Sequence, residues 1–190
     1  MAQLQMLLSA GTQVSGGYRS LPEGYILRNF QAGDDAAYIA LMRGAGFSTT
    51  DWNTDNLEEV LKLAKEEGVF FVEHRASAQL VATALGWNKP STLFPEGGEL
   101  GWVGGDEAHA GKGLGGIVSA AAVQKLLNDG LKEIYLLTDD FRLPAIMIYL
   151  RIGFLPVLCE PDMKSRWQEV LKSLNLKDED YPGVERSLPA

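Results

Sequence analysis

One cysteine, Cys159, and two histidines, His74 and His109, occur among 190 residues. A single thiol excludes an intrachain disulfide and fits a reducing compartment, where it serves as a small apolar side chain. The two histidines have no second ligand at metal spacing, which excludes a recognisable metal motif. No run approaches the ~18–20 apolar residues that span a bilayer. The first ten residues lack the basic segment that precedes the apolar part of a signal peptide. The expectation is a cytoplasmic protein with no membrane contact. Lys and Arg number 17 against 25 Asp and Glu, a formal net charge of -8. The basic residues form no cluster that would track a nucleic-acid backbone, so nucleic acid is not an expected partner.

What is present is a core. Apolar residues make up 46% of the chain, and this length suits one domain that buries roughly 70% of its unfolded surface. Residues 1–22 hold one apolar patch, Leu4 to Leu8, then a Gly/Ser-rich link, and read as an edge strand or a loosely packed arm. Tyr25–Phe30 alternates as a first core strand. A helix follows from Asp34-Asp35 to about Arg43, and a second from Thr54, its expected N-cap, to Gly68. Strands are expected at Val69–Glu73, Gln79–Trp87, Glu99–Gly105, Lys132–Thr138 and Phe154–Cys159. Helices are expected at Ile117–Leu127, Pro144–Ile152 and Met163–Leu174. The order predicts an α/β protein (α+β in its mixed sheet) with helices on both faces. A single domain over 23–176 would be followed by a tail over 177–190. The Leu4–Leu8 patch and the Met163–Leu174 helix offer apolar surface for a homodimer.

The chemistry concentrates between Glu99 and Val118. A strand-like run leads into a polar turn, then four glycines between Gly111 and Gly116, then an alanine-rich helix. A helix N-terminus has amides with no intrahelical partner and carries partial positive charge. Glycines let that backbone approach a phosphate closely, and Lys112 adds one mobile cation. The pattern points to a phosphorylated cofactor gripped mostly by main chain. Gly111-Lys-Gly-Leu-Gly-Gly116 also satisfies the dinucleotide fingerprint, with Asp139 about 20 residues on. The strand and first glycine are separated by a longer stretch than that fingerprint's tight turn allows. Too little chain follows for the remaining βαβ units. A P-loop is excluded because Gly113, not Ser or Thr, follows Lys112.

Ala110-Gly-Lys-Gly-Leu-Gly115 resembles the pyrophosphate signature, Gln/Arg-x-x-Gly-x-Gly/Ala, of the GNAT superfamily of N-acetyltransferases. Ala145-Ile-Met-Ile-Tyr-Leu-Arg-Ile-Gly-Phe154 is similar to that family's second signature, Ala-x-x-x-Tyr-x-x-x-Gly-Phe. The resemblance spans Tyr25 to Cys159 and departs from the family at three places. Ala110 stands where Gln or Arg is usual, Gly105 where a branched hydrophobe ends the strand, and Arg142 where an Asn touching the cofactor is common.

The resemblance implies a GNAT-like acyl-CoA N-acyltransferase fold, in which acetyl-CoA enters a gap between splayed parallel strands, here 99–105 and 132–138. Cofactor contacts are then expected from Val103, Gly105, Gly111, Lys112, Gly113, Leu114, Gly115, Gly116, Arg142 and Tyr149. Gly104-Gly105 would mark a bulge or a close backbone approach. The Val103 N–H would polarise the thioester carbonyl. Tyr149 would be the general acid for the leaving thiolate. Glu99, six residues before Gly105, would be the base that deprotonates the amine, with Glu73 and His74 as second choice. Ser119 and Thr138-Asp139-Asp140 are lesser cofactor candidates. Trp87, Trp102 and Phe94, with loops 44–53 and 88–98 and the last helix, would shape the acceptor pocket. The implied activity is acetyl transfer from acetyl-CoA to a small-molecule or peptide amine. A non-catalytic acyl-CoA-binding module on the same fold would bind without turnover.

Overall fold

The computed structural model describes residues 2–9, 11, 12, 14, 20–64 and 66–187. Most of the Gly/Ser-rich link and the last three residues lie outside these. The sheet is written into the sequence as short runs rich in Val, Phe, Leu and Ile. They form β1 (Leu4–Ser9), β2 (Tyr25–Asn29), β3 (Val69–His74), β4 (Gln79–Trp87), β5 (Gly97–Gly105), β6 (Glu133–Thr138), β7 (Leu155–Leu158) and β8 (Val184–Glu185). Their spatial order is β2-β3-β4-β5-β6-β1-β7-β8. The pairs β5–β6 and β7–β8 are parallel and the rest antiparallel.

Among the described residues five α-helices cover the sheet: α1 (Asp35–Gly44), α2 (Thr54–Ala64), α3 (Leu114–Asn128), α4 (Leu143–Ile152) and α5 (Met163–Ser173). Alternation along the strands sorts side chains into two cores. Val72, Ala84, Ile134 and Leu136 point to α3, α4 and α5; Val69, Phe71, Leu80 and Leu85 point to α1 and α2. Two glycines set the layer spacing. A Cβ on Gly86 would lie 2.8 Å from the Ala122 carbonyl of α3, and one on Gly104 would lie 2.9 Å from Met42 Sδ of α1. The N-terminus of α1 is pinned by Arg28, whose guanidinium donates to Asp34 at 2.6 and 2.9 Å and to Glu73 at 2.7 Å. At α2 the cap is Asn53, not Thr54: its Oδ1 accepts from the Asn56 N–H at 3.0 Å.

Three expectations are corrected. Leu4–Ser9 is no edge strand or arm, since it lies inside the sheet and pairs with β6 along its whole length and with β7 at Met6 and Leu7. Its Leu4, Met6, Leu7 and Leu8 are buried, as a strand covered on both faces requires. The tail is partly sheet, because β8 pairs with β7. Neither proposed dimer surface is free: the Leu4–Leu8 patch is buried, and Met163, Trp167, Val170 and Leu171 of α5 pack into the core.

Candidate active site

Two irregularities in β5 create the site. Its parallel ladder with β6 registers Gly97 with Glu133, Gly98 with Ile134 and Glu99 with Tyr135, then stops although both strands continue. Beyond Glu99 the central strands part. On the other edge, the register with β4 passes from Leu85–Gly101 to Thr83–Gly104, so β5 inserts one extra residue. This β-bulge falls at Trp102, whose φ of 49 is left-handed, rather than at the expected Gly104-Gly105. A non-glycine residue there costs about 1–2 kcal/mol, and packing holds it. The Trp102 ring meets Phe47 at 5.4 Å and Trp52 at 5.1 Å, both edge-on. Trp102 and Val103 consequently have no register partner in either neighbouring strand.

After β5 the chain turns at Asp106, whose Oδ1 accepts from the Ala108 N–H at 2.9 Å and opens one 3-10 turn, Glu107–His109. Gly111 and Gly113 both take φ 77, and Gly113 is the N-cap of α3. The Gly116 and Ile117 amides donate to the Gly113 carbonyl at 3.1 and 3.2 Å. Those of residues 111–115 have no acceptor among the described residues. These donors sit at the positive end of a 15-residue helix, a ready anion site. At Gly115 a Cβ would come within 3.3 Å of Ile148 Cδ1, so this glycine also lets α4 lie against α3.

The gap holds two adjoining cavities. The larger, about 480 Å³, is lined by Gly104, Gly105, Gly111, Gly113, Leu114 and Gly115, with His109 at its side. The smaller, about 290 Å³, is lined by Glu99, Trp102, Thr138, Asp139, Arg142 and Tyr149. Val103 on β5 and Ala145 on α4 line both, so the two cavities meet between those residues.

Tyr149 is 6% exposed, and its hydroxyl has no hydrogen-bond partner among the described residues. Burial pushes its pKa above the ordinary phenol value, offset only in part by the positive charge of Arg142. It remains a proton donor throughout the physiological range. Glu99 is buried, with Oε2 in an ion pair with Lys89 Nζ at 2.8 Å and accepting from the Tyr135 hydroxyl at 3.2 Å. Burial, with the neighbouring Glu99 charge, raises the Tyr135 pKa and keeps that hydroxyl protonated. Arg142 lies in the smaller cavity, not beside the glycine loop. Its Nε donates to Asp139 at 3.1 Å, and its guanidinium stacks over Phe47 at 5.1 Å.

The structure thus brings Val103, Gly105, Gly111, Gly113, Leu114 and Gly115 to one cavity and Val103, Glu99, Arg142 and Tyr149 to the other. Lys112 is exposed and, like Gly116, lines neither. Glu73 is bound to Arg28, and neither it nor His74 lines a cavity of the gap. Ser119 is fully buried in the core, and Asp140 pairs with Arg166 at 2.5 Å. Of the three aromatics, Trp102 walls the smaller cavity. Phe94 instead stacks on Tyr135 at 4.9 Å, and Trp87 is core. Loop residues Phe47 and Lys89 line the smaller cavity, but nothing from α5 does. Residues outside those expectations are Gln3 and Tyr135 around the smaller cavity and His109 beside the larger. The His109 Nδ1 lies 2.8 Å from the Tyr25 hydroxyl. Only adjacency to the glycine loop could have flagged His109.

A mixed sheet whose central parallel strands part beside a glycine-capped helix defines the acyl-CoA N-acyltransferase class of fold. Residues 37–154 match the model of the acetyltransferase (GNAT) family, and the chain belongs to that family. It is 28% identical over 148 residues to a mycothiol acetyltransferase of Saccharomonospora viridis, covering 70% of this chain and 47% of that protein. A mycothiol acetyltransferase of Kocuria rhizophila is 30% identical over 146 residues, covering 71% of this chain and 47% of the relative. The chain therefore spans about half the length of the curated relatives it matches. Among solved structures, it is similar to a tandem GNAT protein from the clavulanic acid biosynthesis pathway. That match has a TM-score of 0.62 and 16% identity, and covers 82% of this chain and 50% of the other. A GCN5-related N-acetyltransferase from Sphaerobacter thermophilus matches with TM-score 0.59 and 20% identity, over 82% of this chain and 49% of the other. Among the described residues no helix is long and apolar enough to cross a membrane, and no acidic, His or Cys group could hold a metal.

Proposed function

We propose that this chain transfers an acetyl group from acetyl-CoA to a primary amine of a small molecule or peptide by direct attack. The observation that carries the reading is the row of amides at 111–115 with no acceptor among the described residues, where Gly111, Gly113, Leu114 and Gly115 line a cavity that meets the Tyr149 cavity between Val103 and Ala145. Those amides, with the α3 dipole, suit a diphosphate. The unregistered backbone at Trp102 and Val103 suits a peptide-like arm that pairs as an added strand. When bound, acetyl-CoA supplies an activated thioester.

The chain's own groups supply the rest. The Val103 N–H stabilises the oxyanion, a contact worth about 2.7–4 kcal/mol. Glu99 takes the proton from the attacking nitrogen, since an alkylamine with pKa near ~10.4 arrives protonated. As the C–N bond forms and the C–S bond breaks, Tyr149 gives its proton to sulfur. The new amide nitrogen sheds its remaining extra proton to solvent, and the proton on Glu99 returns through solvent to Tyr149, so that of the two protons lost by the ammonium one ends on sulfur and one in solvent. Mycothiol, in the relatives' name, makes small molecules the first class of acceptor to try.

Thermal unfolding with acetyl-CoA, free coenzyme A and nicotinamide dinucleotides tests the binding half. A ligand at ~100 times its Kd adds ~2.7 kcal/mol to the native state, a shift expected for the first two alone. Coenzyme A release with an amine panel tests the transfer half. Stabilisation by the nicotinamide dinucleotide instead would refute the reading. Stabilisation by acetyl-CoA without turnover across the panel would mark a binding module.

A further inference from the structure

The smaller cavity carries four charged side chains, Lys89, Glu99, Asp139 and Arg142, two of each sign. They are paired at two places. Lys89–Glu99 sits where β5 and β6 are still in register, and Asp139–Arg142 sits just beyond the end of β6. The second pair is incomplete. Asp139 accepts from Arg142 Nε, which leaves Nη1 and Nη2 with no acceptor among the described residues. The guanidinium plane is fixed by Phe47 at 5.1 Å and Phe141 at 5.6 Å, and the Asp139 carboxylate is held by Gln3 Nε2 at 3.1 Å.

A planar fork, stacked in place with two donors unused, is suited to a planar two-oxygen anion. We infer that the acceptor is a carboxylate-bearing amine, its carboxylate received by Arg142 and its amino group turned toward Tyr149 and Val103. This deepens the acetyltransfer reading above and rests on it. The charge balance selects among amines. A lining that sums to zero with separated poles suits a zwitterion, which adds no net charge. A simple alkylammonium would add a cation and leave the fork empty. A phosphate dianion would bring two charges to a guanidinium whose own charge Asp139 already offsets. In this account Arg142 is a specificity-determining residue for the acceptor and makes no contact with the diphosphate, because it does not line the cavity of the glycine loop.

The test uses matched sets: an amino acid, its carboxamide, the amine lacking the carboxyl group, and an amine bearing phosphate. Coenzyme A release gives kcat/KM for each. The free carboxylate is expected to be preferred over its amide and its decarboxylated form by roughly ten- to hundredfold, the range for one charge-assisted pair. In Arg142→Gln the preference should fall to near one through the acceptor KM, with the acetyl-CoA KM unchanged, and Arg142→Lys should restore part of it. Equal rates for acid and amide, preference for the phosphate-bearing amine, or an R142Q effect confined to the acetyl-CoA KM would each overturn the inference. Trp102 lines the same cavity, so quenching of its fluorescence by the amino acid reports binding without turnover. Arg142-dependent quenching with no acetylation would refute the transferase reading while upholding the anion site. Acetylation of amines with no carboxylate preference would do the reverse.

Discussion

Tyr149→Phe separates a catalytic tyrosine from a core one because it predicts a large loss of rate with almost no change in stability. The ring is 6% exposed and packs edge-on against Phe154 with centroids 6.2 Å apart. Phenylalanine keeps that packing. The hydroxyl has no hydrogen-bond partner among the described residues and, unlike that of Tyr38, is not sealed from solvent, so removing it breaks no protein hydrogen bond. Losing a hydroxyl with no protein partner changes stability by less than about 1 kcal/mol. At this size that keeps Tm within about 2–4 °C of the wild type. The rate should change far more, because a positioned general acid contributes typically 10²–10⁴-fold. kcat in coenzyme A release should therefore fall by at least about a hundredfold while the acetyl-CoA KM holds. Because burial raises the phenol's pKa, the wild-type rate should show no loss of this acid up to the ordinary tyrosine pKa near ~10. A variant that keeps full kcat, or that loses Tm with its activity, would refute the assignment and return Tyr149 to the core.

Glu99→Gln keeps the volume and the Tyr135 contact but removes the base. kcat should fall by about 10²-fold or more, with acetyl-CoA binding by thermal shift unchanged. Gly113→Ala forces a side chain into a left-handed N-cap at a cost of about 1–2 kcal/mol, or about 2–8 °C in Tm. It should also shrink the stabilisation by coenzyme A, and an unchanged ligand shift would count against the loop as the diphosphate site. Asp34 gives the pH prediction. Burial alone would raise its pKa, but the Arg28 hydrogen bonds and charge outweigh it and hold the carboxyl below the usual range. Its stabilisation is present above the unfolded value near ~3.9 and is lost as pH falls through the lower folded value. Asp34→Asn should therefore cost about 1.5–3 kcal/mol at pH 7 and flatten the acid limb of a pH-denaturation curve.

The parts of this protein that were legible in sequence are those encoded locally. Gly111 to Gly116 is a contiguous signal, and Tyr149 sits four before Gly153, the glycine that caps its helix. The segment Gln79–Trp87 is a strand on its own composition. What was not legible depends on partners far away in the chain. Lys89, Glu99 and Tyr135 form one cluster only because β5 and β6 are in register at Glu99. Arg142 faces the smaller cavity because Phe47, nearly a hundred residues earlier, offers it a ring. The bulge at Trp102 lies two residues from the glycines expected to mark it, since aromatic packing, not backbone freedom, decides its place. The patch Leu4-Gln-Met-Leu-Leu8 carried a usable sign. A near-continuous apolar run is the pattern of a strand buried on both faces, whereas an edge strand has one face or rim to show.

The placement of that first strand explains how the gap survives. A parted pair of strands exposes backbone donors and acceptors that a collapsing sheet would re-pair. β6 has no such freedom, since all of it, Glu133 to Thr138, is registered antiparallel to β1, from Ser9 back to Leu4. β5 is held from its other side by β4, and the extra residue at Trp102 throws its later half out of phase with any straight neighbour. Each strand is thus committed to its outer partner, and the unpaired groups between them are left for a ligand. β1 does a second thing from the same position. Its register delivers Gln3 to Asp139 at 3.1 Å, and Asp139 in turn fixes Arg142. The strand that keeps the cleft open therefore also orients the cation at its mouth, so the first residues of the chain are a wall of the candidate site.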